Sequence, residues 1–410
     1  CIAAPGEPDG AIAPAARWTG PHGPGSRSRR SNAIPITRSV SESWSCTLPG
    51  RALAPLVHWD GVGFVLCNYK SGGQLVAVDL ADGRILAKKI ISAANRQVIH
   101  CWNRHVLLAV NGDQMMSYKL IGKTFVKSWK CTLPGMPKWP GQGRTKSKKK
   151  VERAHPPEIT VVGNEVFTVR KGRLARLLVG SGKPNWTYPS AKQKQFYLCI
   201  GTPTVYGPDV FVLGGAVGRL VMLRLDRERG TVNGTWNVLS RRSRNRFASV
   251  LTRRGSIHVT GEEILVASPY PLPTTSGRNA THAFLPAEPT GERGLVSGLF
   301  SFLGHPGIYR GGFVVMERGA KSWLWWKGGG GRVLAERKYT PELLSNVVSP
   351  TVLGDVVYFE TWSADIETGE ILWKLPVESA VFGAVPGDRA VYVLEREGAV
   401  LRGFTEQDLQ

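Results

Sequence analysis

The sequence predicts an all-β fold, a ring of four-stranded antiparallel blades, and three observations carry that prediction. First, Trp44-Ser45-Cys46-Thr47-Leu48-Pro49-Gly50 returns as Trp129-Lys130-Cys131-Thr132-Leu133-Pro134-Gly135. The spacing from Trp44 to Trp129 is close to twice the roughly 40–45 residues of one propeller blade. Second, weaker echoes of the same closing strand recur at 86–91, 186–189, 236–239, 333–339 and 373–376, with a degenerate one at 282–286, which makes eight units. Third, apolar residues alternate over short runs at 63–67, 161–169, 210–213, 257–266, 356–360 and 389–394, as in strands, and no helical pattern of useful length interrupts them. Each such blade buries its faces only against its neighbours, so the units have to stack into a closed ring.

In chain order, residues 1–41 are rich in Pro, Gly, Ala, Ser and Arg without periodicity and read as a flexible leader. Blades are expected at 51–91, 95–133, 155–189, 196–240, 248–287, 294–338, 345–376 and 378–406. The last unit supplies only three apolar strands, at 379–385, 390–395 and 399–404, before a tail at 407–410. The strand 42–48 has fourth-strand sequence and no blade of its own. Pairing it with the last three closes an eight-bladed ring over 42–406 and hides an exposed sheet edge. The alternative is seven blades, with the stretch 268–291 and its five prolines as one long insertion. Turn chemistry supports the units: Ala81-Asp82-Gly83-Arg84 and Gly330-Gly331-Arg332 put Gly before a hydrophobic strand, and Ser181-Gly182 and Thr368-Gly369 precede strands carrying Trp.

The run Asp365-Ile366-Glu367-Thr368-Gly369-Glu370-Ile371-Leu372-Trp373 resembles the Ala-x-Asp-x-x-Thr-Gly-x-x-x-Trp repeat of the PQQ-like, quinoprotein-type β-propeller family. Residues 75–87 keep Ala77, Asp79 and Gly83 but carry Ala87 in place of the Trp. The resemblance covers about 44–406, with most of the motif in 51–91 and 345–376. Catalytic members bind their quinone with calcium and several specific polar residues, often beside a vicinal Cys-Cys pair. This sequence has no adjacent cysteines and no compact Asp/Glu/Asn cluster assignable to calcium. The resemblance therefore implies the non-catalytic branch: no cofactor, and a scaffold that presents loops to protein partners. Within the family it is similar, at a distance, to the propeller lipoprotein of outer-membrane β-barrel assembly, although that protein's partner-binding loop residues have no match here. The competing classes are a quinone-dependent dehydrogenase and a propeller that binds an anionic polymer or membrane surface.

Charge points to the last of these. The formal net charge is +22, from 53 Lys and Arg against 31 Asp and Glu, so anionic surfaces are attracted. Arg144, Lys146, Lys148, Lys149, Lys150 and Arg153 form one run; Arg241, Arg242, Arg244 and Arg246 form another; Lys192 and Lys194 lie between. All three segments join a fourth strand to the next first strand in consecutive blades, so alternation of strand direction brings them out on one face, with Trp139 and Tyr197 as flanking aromatics. The other reading of these runs is solvated loops.

Cys1 is a candidate lipidation site, because a terminal Cys followed by a tether is how a mature bacterial lipoprotein begins; a chain trimmed from a longer reading frame begins the same way. Export to the periplasm or cell envelope is the expected location, with the cytoplasm as alternative, and a monomer is the expected state. The six cysteines lack C-x-x-C spacing. Cys46 and Cys131 are equivalent and two blades apart, while Cys101 and Cys199 fall on inner strands of adjacent blades as the one pair to check for a bridge. The histidines show no metal spacing; His100 and His105 are five apart across a predicted turn, and Asp60 beside His58 and Glu158 near His155 could pair only by coincidence of folding. Gly328 to Gly331 reads as a hairpin turn, and Trp323, Trp325 and Trp326 as an aromatic group on both faces of one strand.

Overall fold

The computed structural model describes residues 19–20, 23–24, 34–70, 72–91, 99–110, 114–132, 158–170, 172–190, 193, 197–216, 219–239, 256–259, 263–273, 279–286, 302–309, 312–317, 322–327, 332–338, 350–359, 361–378, 380–395 and 397–407. All regular structure among these residues is strand. In the first sheet Val57–Trp59, Val62–Tyr69, Gly72–Asp79 and Ile85–Ile91 pair antiparallel in chain order. Asp60 and Gly61 join its first two strands with φ of 50° and 74°, the left-handed pair that a two-residue hairpin needs. The same order repeats from Ile99–Trp102 to Thr124–Thr132, from Glu158–Val162 to Pro184–Tyr188 and from Leu198–Tyr206 to Val232–Leu239.

A three-stranded sheet follows, made of Ser256–Val259, Glu263–Pro273 and Asn279–Pro286. Two more four-stranded sheets run from Phe302–Tyr309 to Arg332–Lys338 and from Thr351–Leu353 to Ile371–Lys374. The last sheet takes Val385–Pro386, Ala390–Glu395 and Val400–Glu406 from the end of the chain and Val40–Thr47 from its beginning. That strand pairs antiparallel with Val400–Glu406 from Val40↔Glu406 to Thr47↔Val400.

Consecutive sheets pack face to face, and their first strands touch one another, which makes the first strands innermost and the fourth outermost. Inner strands are buried on both faces. Phe64, Val65, Leu66 and Cys67 are all fully buried, Phe64 and Leu66 against the second sheet, Val65 and Cys67 against the last. This is why the period-2 alternation fades into continuous apolar runs there.

The repeated Trp is the joint between sheets. Trp44 Nε1 donates to the Leu80 carbonyl at 2.9 Å, Trp129 Nε1 to Val179 at 2.5 Å and Trp186 Nε1 to Arg227 at 2.9 Å. In each case the indole of an outer strand reaches the loop between the third and fourth strands of the next sheet. Gly83, Gly182 and Gly230 sit under the rings, where an added Cβ would lie 2.5 Å from the indole, so no larger residue fits. Where the first sheet has Ala87 instead of Trp, the second sheet has also lost the receiving loop: Ile121 pairs directly with Thr124 around Gly122. The motif and its receptor disappear together.

Several expectations need correction. Residues 282–286 form part of the third strand of their sheet, not a fourth, so the unit expected at 248–287 shows three strands among the described residues. The Pro-rich stretch 268–291 carries much of two paired strands, because the register shift between Ala267 and Leu272 absorbs the prolines that read as a loop. The strand expected at 379–385 is reduced to Val385–Pro386, although Ala380, Phe382 and Ala384 are still buried. Ile34 to Ser39, assigned by composition to the leader, are held against the last two sheets: Ile36 is fully buried, its N–H donates to Tyr358 Oη at 3.1 Å, and the Ser39 carbonyl accepts from the Gln407 N–H at 3.0 Å. Gly328 to Gly331 lie outside the described residues; the strands on either side, Ser322–Lys327 and Arg332–Lys338, pair antiparallel with a register shift between Trp325 and Trp326.

Candidate binding rims

The innermost strands carry polar side chains that point between sheets, and most are tied to a neighbour's backbone. Thr160 Oγ1 donates to the Pro203 carbonyl and Thr204 Oγ1 to the Ile257 carbonyl, both at 2.5 Å. Cys101 Sγ donates to the His58 carbonyl at 3.1 Å, and His58 Nε2 lies 3.1 Å from the Pro386 oxygen. These groups act as joints. His100 is fully buried with neither ring nitrogen hydrogen-bonded, and desolvation pushes its pKa down to about 3, so it stays neutral. Burial and the charge of Lys119 also lower His105, whose Nδ1 is 3.1 Å from Ser117 Oγ. Cys67 is pushed up to about 12, by burial first and the neighbouring Cys46 second. Among the described residues no group of three His, Cys, Asp or Glu is placed to hold a metal. The Thr160 and Thr204 hydroxyl protons are committed to carbonyls of the adjoining sheets.

The acid–histidine neighbour His58–Asp60 does not form a pair: the ring turns to Pro386 and the carboxylate lies 3.9 Å from Arg104. Cys101 and Cys199 form no disulfide: they sit in the second and fourth sheets, not in adjacent ones, with the third between them, so the pair singled out for a bridge is separated along the ring. Cys46, Cys67 and Cys131 are free as well.

The two ends of the sheets form two rims. One carries the hairpins between second and third strands. Lys70 tops the first of these, φ 50°, with Nζ 5.4 Å from the Tyr69 ring centre, and Arg170 pairs with Arg173 around Gly172 in the third sheet. Arg144, Lys146, Lys148, Lys149, Lys150, Arg153, Lys192, Lys194, Arg241, Arg242, Arg244 and Arg246 lie outside the described residues, as do Cys1, Trp139 and His155. The strand ends that flank the runs are described. Thr132 pairs with Gln114 and Gln114 with Val110; Tyr188 pairs with Leu174; Leu239 pairs with Leu220. All three fourth strands therefore end on the rim of the second-to-third hairpins, in sheets that pack consecutively.

The opposite rim holds the remaining turns and is rich in carboxylates. Asp79 Oδ1 accepts from the Ala81 N–H at 3.0 Å, Asp226 Oδ1 from the Glu228 and Arg229 N–H groups at 2.9 and 2.7 Å, and Asp365 Oδ1 from the Thr368 N–H at 2.7 Å. Asp79 and Asp226 cap the turns whose Gly83 and Gly230 receive Trp44 and Trp186, and Asp365 caps the corresponding turn of its own sheet, which gives the Asp-x-x-x-Gly spacing its physical content. Behind this rim Glu165 is bound by Arg176 and Arg227, and Arg176 reaches both Glu228 oxygens, at 2.7 and 3.0 Å. Burial works to lower the Arg176 guanidinium pKa, and the Glu228 and Glu165 carboxylates more than reverse it. Sequence reasoning missed this network; the recurring Asp four residues before Gly83, Gly230 and Gly369 was the available signal.

No protein-family model and no curated protein matches the chain in sequence. Solved structures do match in fold. BamB from Moraxella catarrhalis aligns over 90% of this chain and 99% of its own at 14% identity, with a TM-score of 0.55. A europium-containing methanol dehydrogenase aligns over 93% of this chain and 96% of its own at 10% identity, TM-score 0.54. Saccharomyces cerevisiae Sqt1 aligns over 90% and 100% at 8% identity, TM-score 0.55. At these identities the likeness concerns the fold alone, and that fold is the β-propeller with PQQ-like and WD40-like architecture.

Proposed function

We propose that the chain is an eight-bladed, non-catalytic propeller, closed by the pairing of Val40–Thr47 with Val400–Glu406, that serves as a binding scaffold. It presents the loops of its basic rim to protein partners as a monomer exported to a bacterial cell envelope. The observation that supports this best is the use of the inner-strand groups. Thr160, Thr204, Cys101 and His58 are bonded to carbonyls of adjoining sheets, so they hold the ring rigid and leave recognition to the rims. The fold likeness to BamB supports the envelope reading.

The direct test is reconstitution with pyrroloquinoline quinone and calcium, followed by a dye-linked assay over common alcohols and sugars. No turnover is expected; stoichiometric, calcium-dependent quinone binding with turnover would replace the scaffold by a dehydrogenase. A second reading, docking of an anionic polymer on the same rim, is favoured by the shared exit of the three basic connectors. Changing Lys146, Lys148, Lys149 and Lys150, or Arg241, Arg242, Arg244 and Arg246, to Gln should then weaken heparin binding and flatten its salt dependence. Unchanged affinity and slope would reduce the runs to solvated loops.

A further inference from the structure

We propose that the outer edge of the first and second sheets is a docking surface for an anionic membrane. The proposal is separate from the scaffold reading and from the rim loops. Lys88 and Lys89 lie on the outermost strand Ile85–Ile91, Lys127 and Lys130 on the outermost strand Thr124–Thr132, and Lys119 and Lys123 beside the turn that precedes it. All six are exposed, and neither strand nor the turn between them contains an Asp or Glu. Three of the large exposed aliphatic residues share the same edge: Ile90 at 59%, Ile121 at 56% and Val126 at 46% exposure.

Lysines on an edge strand also guard against edge-to-edge pairing. Edge protection alone does not account for this surface. Of the other described outer strands, Pro184–Tyr188, Val232–Leu239 and Val40–Thr47 carry no lysine and Arg332–Lys338 and Ile371–Lys374 carry one each, at their last residue, against two on each strand here, and an unpaired edge is not protected by exposing Ile90, Ile121 and Val126. At this place the Trp of the repeat is replaced by Ala87 and its receiving loop by the turn at Gly122. What changes with the loss of that joint is the outward face, which becomes cationic and aliphatic.

The chemistry selects a lipid surface over a shaped polymer. The patch lies on the outermost strands, at the periphery of the two sheets. Its cations are lysines, compact point charges that impose no bidentate geometry. Aliphatic side chains among them gain free energy by entering the acyl boundary, which a soluble polyanion does not offer.

The test is flotation of the full chain with phosphatidylglycerol–phosphatidylcholine vesicles against pure phosphatidylcholine vesicles. Binding is expected to the anionic vesicles only. Changing Lys88, Lys89, Lys127 and Lys130 to Gln should lower partitioning on the order of a hundredfold or more, at about 1 kcal/mol per lysine near the surface. Changing Ile90, Ile121 and Val126 to Ser should remove the part of binding that survives high salt, while melting temperatures stay near wild type because the positions are exposed. A variant with the rim runs neutralised should keep that salt-resistant part. Equal binding to neutral vesicles, an unaffected lysine variant, or an unaffected aliphatic variant together with full competition by soluble polyglutamate would each overturn the proposal.

Discussion

Trp373 donates its indole N–H to the carbonyl of Ile36 at 3.3 Å, across 337 positions of sequence. The bond repeats the joint that Trp44, Trp129 and Trp186 make with Leu80, Val179 and Arg227, with one difference. In those cases the receiving loop joins the third and fourth strands of one continuous sheet. In the last sheet the third strand ends at Glu406 and the fourth begins at Val40, so the segment before Val40 takes the place of the loop. The joint survives a break in the chain, and Tyr358 fixes the same residue from its N–H side.

The glycines beneath the indoles should be intolerant of any side chain. Gly182→Ala forces a left-handed φ of 65° and places a methyl 2.5 Å from Trp129. Gly163→Ala imposes a φ of 55° with nothing within 4 Å. The control should cost about 1–2 kcal/mol from backbone strain alone, and Gly182→Ala about 1–3 kcal/mol more from overpacking. Denaturant midpoints of the two variants check this; equal losses would mean that the indole does not sit where the joint requires.

Truncations should divide at Ile34, not at residue 41. Removing residues 1–33 leaves every described bond of the closing strand in place. Removing 1–39 takes Ile36 from Trp373 and Tyr358 and should lower the melting temperature by several degrees. Removing 1–48 exposes the edge of Val400–Glu406 and should cause aggregation. Scanning calorimetry and light scattering separate the three.

The fold was legible because its signals are local and repeated. Trp44 and Trp129 recur in sequence because each meets a Gly-bearing loop of the next sheet, at Gly83 and Gly182. The leader boundary was not legible, since Ile34 to Ser39 make no strand of their own and are ordered by residues more than 300 positions away. Nor was Glu165 readable as a shared partner of Arg176 and Arg227, because the arginines come from different sheets. The basic runs were plain in sequence, but charge alone does not fix a ligand.

His100 should make stability fall as acidity rises. Its folded pKa is lowered to about 3 by burial, from 6.5, so between these values the unfolded chain binds a proton that the folded chain does not. The contribution is fully present above pH 6.5 and is lost as pH falls toward 3. From pH 7 to pH 5 the loss should be about 2 kcal/mol. His100→Leu should remove that part of the pH dependence of the unfolding free energy; an unchanged slope in the variant would show that the imidazole is not held neutral.

The scaffold reading depends on a closed ring, and closure is tested most directly at Ser43 and Thr405, whose hydroxyls lie 2.6 Å apart across the joint between the two ends of the chain. In the double variant Ser43→Cys, Thr405→Cys, mild oxidation of the folded protein should give an intramolecular disulfide between these positions in nearly every molecule, detected by peptide mapping and by faster migration without reductant. The native cysteines should remain reduced. Failure of positions 43 and 405 to cross-link, or cross-linking only between molecules, would contradict the closed ring.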